Sequence, residues 1–387
     1  MRFLVEAAQR RFSRFVPNDW NRAELRGKKE VMTSLRRCLG LAIASVAMSQ
    51  VGASAAVPPV VPSPRQNPPP KAVPVAPAEL HDQVVALGRD FDGKAGISVV
   101  SLRDGWEIAW NANTLFPQQS CSKLWVAITA LDAVDHGKIS LDDKVTLGRG
   151  DLTLFHQPLR EKILGGGHTT TLGSLLFDAI TESDNTANDK LMRSIGGPTA
   201  VRGMIARKGL GSIRFYNGER ALQSRIAGLI WSQSYSIGNA FYAARNALPM
   251  SVRKAAFERY IADPYDGASP HAVAGALADL KRGELLKPAS TARLLSIMGK
   301  TRTGKLRVRA ALAPGWDWNH KTGTGQELSG RIGGINDIGL LTAPDGAVYA
   351  MAIMTIPNNN SDGDAQELMR NVAKAVMAAH QERAANR

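Results

Sequence analysis

Hydrophobic and polar positions divide the chain into three regimes. A first helix is expected at about residues 79–92. Two short strand-like runs follow, Gly96–Leu102 and Glu107–Asn111, with Asp104-Gly105 between them as a hairpin signal. From about Ser120 to His136, apolar residues such as Leu124, Ile128 and Leu131 recur at helical spacing. Further helix-compatible stretches fill the chain to about Gly299. The pattern then returns to strands at Trp316–Gly323, Ile335–Thr342 and Val348–Ile356, and closes with a helix at about Asp364–Arg383. Strands at both ends with helices between predict an α/β fold of the α+β sandwich type. One antiparallel sheet is built from both chain ends, with a helical lobe inserted.

The first 78 residues follow other rules. Arg36 and Arg37 precede an apolar run, Leu39 to Met48, and Ala53-Ser54-Ala55 offers a small-x-small cleavage pattern. Residues 1–55 are therefore expected to be an N-terminal extension and secretory signal, with Met32 the favoured start. The run is too short to span a bilayer. Residues 56–78 carry nine prolines and read as an extended tether. Residues 79–387 form the globular domain. The mature protein is expected to be exported, periplasmic or secreted, without a membrane anchor, and monomeric. Loss of Cys38 with the signal would leave Cys121 without a disulfide partner.

Composition narrows the chemistry. The chain has 387 residues, 44% hydrophobic and 21% charged, with a formal net charge of +14. Residues 1–55 hold ten Lys/Arg against four Asp/Glu, and the remaining excess is scattered. No recognition-helix, zinc-finger or RNP-like pattern accompanies it, so no nucleic-acid partner is expected. The seven histidines are dispersed and form no metal-binding pair, so neither metal nor other cofactor is expected. The absence of a Gly-x-Ser-x-Gly elbow argues against an α/β-hydrolase.

Ser-x-x-Lys occurs twice, at Ser120–Lys123 and Ser251–Lys254. At a helix start this spacing puts the amine one turn from the hydroxyl, and the helix N-terminus favours negative charge developing on an attacked carbonyl. Order separates the two copies. Ser120-x-x-Lys123 is followed by Ser183-Asp184-Asn185 and then by Lys321-Thr322-Gly323, whereas Ser251 comes too late to open that series.

These three elements in this order resemble the class A β-lactamase family and its penicillin-binding relatives. Phe116-Pro117-Gln118-Gln119-Ser120, Ser183 to Ala187 with Ile195-Gly196-Gly197-Pro198, Lys321 to Gly325 and Asn336-Asp337-Ile338 extend the likeness over roughly residues 85–380. The resemblance implies that Ser120 is an acylated nucleophile, and that Lys123 either accepts its proton directly or tunes it while Glu219 acts through water. Ser183 would relay a proton under the field of Lys321. Asn185 would bind the substrate amide and steady Lys123, and Asp184 would be structural. Thr322, Gly323 and Thr324 would line the substrate-facing strand, with backbone N–H groups of Ser120 and Thr324 as oxyanion hole. Glu219, in Arg214 to Gln223, matches the family's deacylating glutamate, with Gln223 in place of an asparagine. Arg307 is preferred over Arg331 as the clamp for a substrate carboxylate. Phe155 is the expected aromatic gate.

The implied activity is hydrolysis of a small-molecule β-lactam. The alternatives are a carboxypeptidase or transpeptidase acting on peptidoglycan stem peptides, and a non-catalytic envelope protein. Residues 224–262 depart from the family pattern as an insertion, expected either to add a helical flap over the site or to displace Glu219.

Overall fold

The computed structural model describes residues 74–359 and 361–385. The expected signal and most of the tether lie outside the described residues. Helix α1 (Ala78–Arg89) opens the body, one residue before the expected boundary, and ends earlier than the sequence reading placed it. Strands β1 (Gly93–Ser101) and β2 (Glu107–Trp110) form the expected hairpin, whose Gly105 adopts φ +79°. The chain then leaves the sheet for the helical lobe and returns as β3 (Asp317–Thr324), β4 (Ile335–Thr342) and β5 (Val348–Pro357).

All pairings in this sheet are antiparallel, in the order β2-β1-β5-β4-β3. Strand β5 is central and buried throughout, because both faces of the sheet are covered. Met351 and Ile353 join a core with α1 and the C-terminal helix Gly363–Ala385, whereas Ala350, Ala352, Met354 and Ile356 join the larger core of the helical lobe. A strand covered on both sides reads as a continuous apolar run, and period-two alternation sorts its residues between the two cores.

In the lobe, the central helix α2 (Lys123–Asp135) is apolar on nearly all sides and buried from Lys123 to Asp132. It begins later than expected. Gln119–Ser122 form a 3-10 turn, and regular α-helix starts only at Lys123. Ser120 therefore stands in the tight first turn, where backbone N–H groups lack intrahelical partners. Against α2 pack α3 (Leu172–Thr181) and α4 (Asn185–Ser194), and α5 (Glu219–Ile226) packs in turn against α4. The departing segment begins in the last turn of α5 and leaves the helix at Ala227-Gly228, where Gly228 adopts φ +82°. It folds into a 3-10 turn at Gln233–Ser236, helix α6 (Ala240–Ala247) and helix α7 (Met250–Ala262). Among the described residues, no helix is long and apolar enough to cross a membrane.

Candidate active site

Ser120 is held from both sides. Phe116-Pro117 pairs with Gly267-Ala268, and the backbone N–H of Gln119 donates to Asp266 Oδ2 at 2.8 Å. Gln119 adopts φ +53° and Ser183 φ +60°, and Phe155 at the cleft wall is also left-handed. Such conformations in non-glycine residues cost about 1–3 kcal/mol each and persist only where surrounding contacts over-determine them. Three of them converge on one cleft.

Lys123 lies fully buried beneath Ser120. Its Nζ is 2.6 Å from Ser120 Oγ, 2.7 Å from Asn185 Oδ1 and 2.7 Å from Glu219 Oε1. An ammonium has three N–H donors, and each finds an acceptor. Asn185 is fixed in turn, because its Nδ2 donates to the carbonyl of Leu154 at 2.9 Å. Asp184 is buried and accepts from the backbone N–H groups of Ala187 and Leu159, as its expected structural role requires.

Glu219 is buried, with its carboxylate against Lys123. It is the first residue of α5, and the backbone N–H of Glu219 donates to Asp189 Oδ1 at 2.8 Å. Asp189 thereby caps α5 from α4, a contact between distant segments that no local pattern announces. Gly218 makes this fit possible. It adopts φ +85°, and a Cβ there would lie 2.7 Å from Met192 Cε and 2.8 Å from Asp189 Oδ1. Gln223, one turn along α5, donates from Nε2 to Glu219 Oε2 at 3.2 Å. It holds the carboxylate oxygen that Lys123 leaves available.

On the opposite wall, Lys321 is completely buried in β3 and donates to Ser183 Oγ at 2.9 Å. Burial, reinforced by the nearby positive charge of Lys123, pulls its amine down to about 7. Thr324 is exposed at the end of β3, and Ser120, Asn185, Gln223, Phe155 and Thr324 line one cavity of about 510 Å³.

Three expected substrate contacts sit differently. A Cβ at Gly323 would come within 2.3 Å of the Gln118 carbonyl oxygen, so glycine here admits the nucleophile turn against β3 rather than substrate. Thr322 is buried, with its hydroxyl 2.6 Å from Thr303 Oγ1. Arg307 is also buried. It donates to the carbonyls of Gly323 and Asn336 and, at 2.6 Å, to Thr324 Oγ1, so it meets the cavity through Thr324. Its competitor Arg331 is bound to Glu258 at 2.8 Å.

The sequence reading missed Tyr242 and Arg245, which line the cavity from α6, and Tyr260, whose hydroxyl accepts from Gln119 Nε2 at 2.7 Å. Their signal was the segment itself, an extra stretch placed just after Glu219. Among the described residues, no group of three or more His, Cys, Asp or Glu is placed to hold a metal ion.

A serine touching a buried lysine that also meets a carboxylate, beside a second serine touching a second buried lysine, is an arrangement suited to an active-site-serine hydrolase. Comparison with known proteins carries this further. The model of the beta-lactamase enzyme family matches residues 79–380. Beta-lactamase CTX-M-97 of Escherichia coli is 28% identical over 262 residues, which cover 68% of this chain and 76% of that protein. Beta-lactamase SME-1 of Serratia marcescens is 24% identical over 298 residues, 77% of this chain and 87% of its own. A solved ancestral (GNCA) class A β-lactamase aligns with a TM-score of 0.62 at 30% identity, covering 78% of this chain and 99% of that one. A β-lactamase from Chitinophaga pinensis gives 0.64 at 26% identity, again covering 78% and 99%. The chain belongs to the beta-lactamase enzyme family, with its relatives in class A.

Proposed function

We propose that this protein hydrolyses β-lactams through an acyl-enzyme on Ser120. The observation that carries the reading is the placement of Lys123 Nζ within 2.7 Å of Ser120 Oγ, Asn185 Oδ1 and Glu219 Oε1 together. Nucleophile, its activating amine and a carboxylate able to activate water thus share one buried network.

In acylation, Ser120 Oγ attacks the lactam carbonyl as its proton leaves toward the Lys123–Glu219 pair. Backbone N–H groups of Ser120 and Thr324 receive the developing oxyanion. The lactam C–N bond breaks, and Ser183 supplies a proton to the nitrogen, with Lys321 at 2.9 Å supporting the transfer. In deacylation, Glu219 takes a proton from an attacking water, the ester C–O bond breaks, and Ser120 Oγ regains its hydrogen. Thr324, backed by Arg307, and Lys321 bind the substrate's ring carboxylate. The enzyme acts as an exported monomer, its export supported by the signal-like residues 32–56.

Nitrocefin kinetics with mass analysis tests the mechanism. The protein is expected to turn over repeatedly, Glu219→Gln to accumulate a stable acyl adduct, and Ser120→Ala to form none. One stoichiometric burst without turnover by the unmodified protein would refute hydrolysis and favour the peptidoglycan peptidase reading.

A further inference from the structure

Segment 224–262 builds a second wall of the cavity. Phe241 of α6 is buried with Leu154 and Ala227 in a small core of its own, closed by Leu229, Trp231 and Tyr235. It meets Phe155 edge to face, with centroids 5.1 Å apart at 82°. Tyr242, the next residue, is partly exposed and stands 6.3 Å from the Phe155 ring. Phe155 and Tyr242 thus flank the cavity with aromatic faces, held by a packed wedge rather than by a free loop.

Arg245 lies on the same helix, one turn from Phe241 and Tyr242. Its guanidinium carbon is 5.3 Å from the Tyr242 ring centroid and 6.0 Å from that of Phe241, and the side chain lines the cavity that contains Ser120. Its Nε is buried and has no hydrogen-bond partner among the described residues. Burial and the neighbouring charge of Arg253 both lower its proton affinity. Glu327 also lines the cavity, from the turn after β3.

Given the β-lactamase reading above, on which this inference rests, the ring carboxylate belongs at the Lys321–Thr324 end. The acyl side chain then extends toward Phe155 and α6. We propose that Tyr242 and Arg245 form a side-chain subsite selecting β-lactams whose arylacyl group bears a carboxylate. The aryl ring lies against Phe155 and Tyr242, and the carboxylate takes the N–H fork of Arg245. Tyr242 stacks on the guanidinium and holds it in place.

Benzylpenicillin and its α-carboxy derivative differ only in that carboxylate. The second-order rate constant for Ser120 acylation, measured for both by competition with a fluorescent penicillin, is defined whether or not the acyl-enzyme turns over. In Arg245→Gln, the ratio of the α-carboxy derivative to benzylpenicillin is expected to fall roughly tenfold or more, the effect of one charge-assisted hydrogen bond. Arg245→Lys should lose less, and high salt should lower the ratio in the unmodified protein but not in Arg245→Gln. Tyr242→Ala should weaken acylation by both substrates. A ratio unchanged in Arg245→Gln, with both rates falling together or neither falling, would overturn the subsite. Absence of acylation by either compound in the unmodified protein would overturn the β-lactam reading itself.

Discussion

Tyr260 gives a sharp test of how the additional segment supports the nucleophile. Its ring is fully buried, its hydroxyl accepts from Gln119 Nε2 at 2.7 Å and donates to Asp266 Oδ1 at 2.9 Å. Tyr260→Phe removes both bonds without opening a cavity larger than one oxygen. Gln119 Nε2 keeps the Gly333 carbonyl at 3.0 Å, so its loss is about 0.5–1.5 kcal/mol. The loss at Asp266 depends on charge. Burial pushes that carboxyl up to about 7, while the bonds from Tyr260 and Gln119 pull it down. The native state therefore holds the Asp266 proton more tightly than the unfolded chain, and this contribution to stability is lost as pH rises toward about 7. Without the tyrosine O–H the native value rises further, and the decline continues above neutrality. A hydrogen bond to an ionised group adds about 1.5–3 kcal/mol, so the variant's deficit should be about 1 kcal/mol near pH 5 and about 2–4 kcal/mol near pH 8. Urea unfolding followed by tryptophan fluorescence at both pH values measures it, with the m-value checked for constancy. Equal deficits at the two pH values, or one below about 1 kcal/mol near pH 8, would refute the network.

Two further outcomes follow from the site. Gly218→Ala should cost about 1–3 kcal/mol and slow deacylation more than acylation. The added Cβ meets Asp189 Oδ1 at 2.8 Å, and relief of that contact moves the start of α5 and Glu219 with it. Stopped-flow separation of the two steps checks this, and equal slowing of both would contradict it. With the Lys321 amine at about 7 in the free enzyme, kcat/KM for carboxylate-bearing β-lactams should fall as pH rises through that value, because the cation that attracts the carboxylate is lost. Lys321→Arg, whose guanidinium stays charged, should move this limb upward. A flat profile in the unmodified protein between about pH 6 and 9 would count against it.

The sequence alone determined the architecture and the three-element series. A strand buried on both faces must read apolar throughout, and a lysine one turn from a serine must share its helix face, so both facts are local and periodic. Motif order also dismissed Ser251, which the structure places exposed on α7. Only the tertiary structure decided what depends on contacts between distant segments. It set Glu219 against Lys123 through the Asp189 cap, turned Gly323 toward Gln118 rather than substrate, and withdrew Arg307 behind Thr324. It also brought Tyr242 and Arg245 to the cavity and Tyr260 beneath Gln119. The physical reason is one of range. Backbone periodicity is written in neighbouring residues, whereas burial, electrostatic pairing and close approach depend on which remote segments the fold packs together.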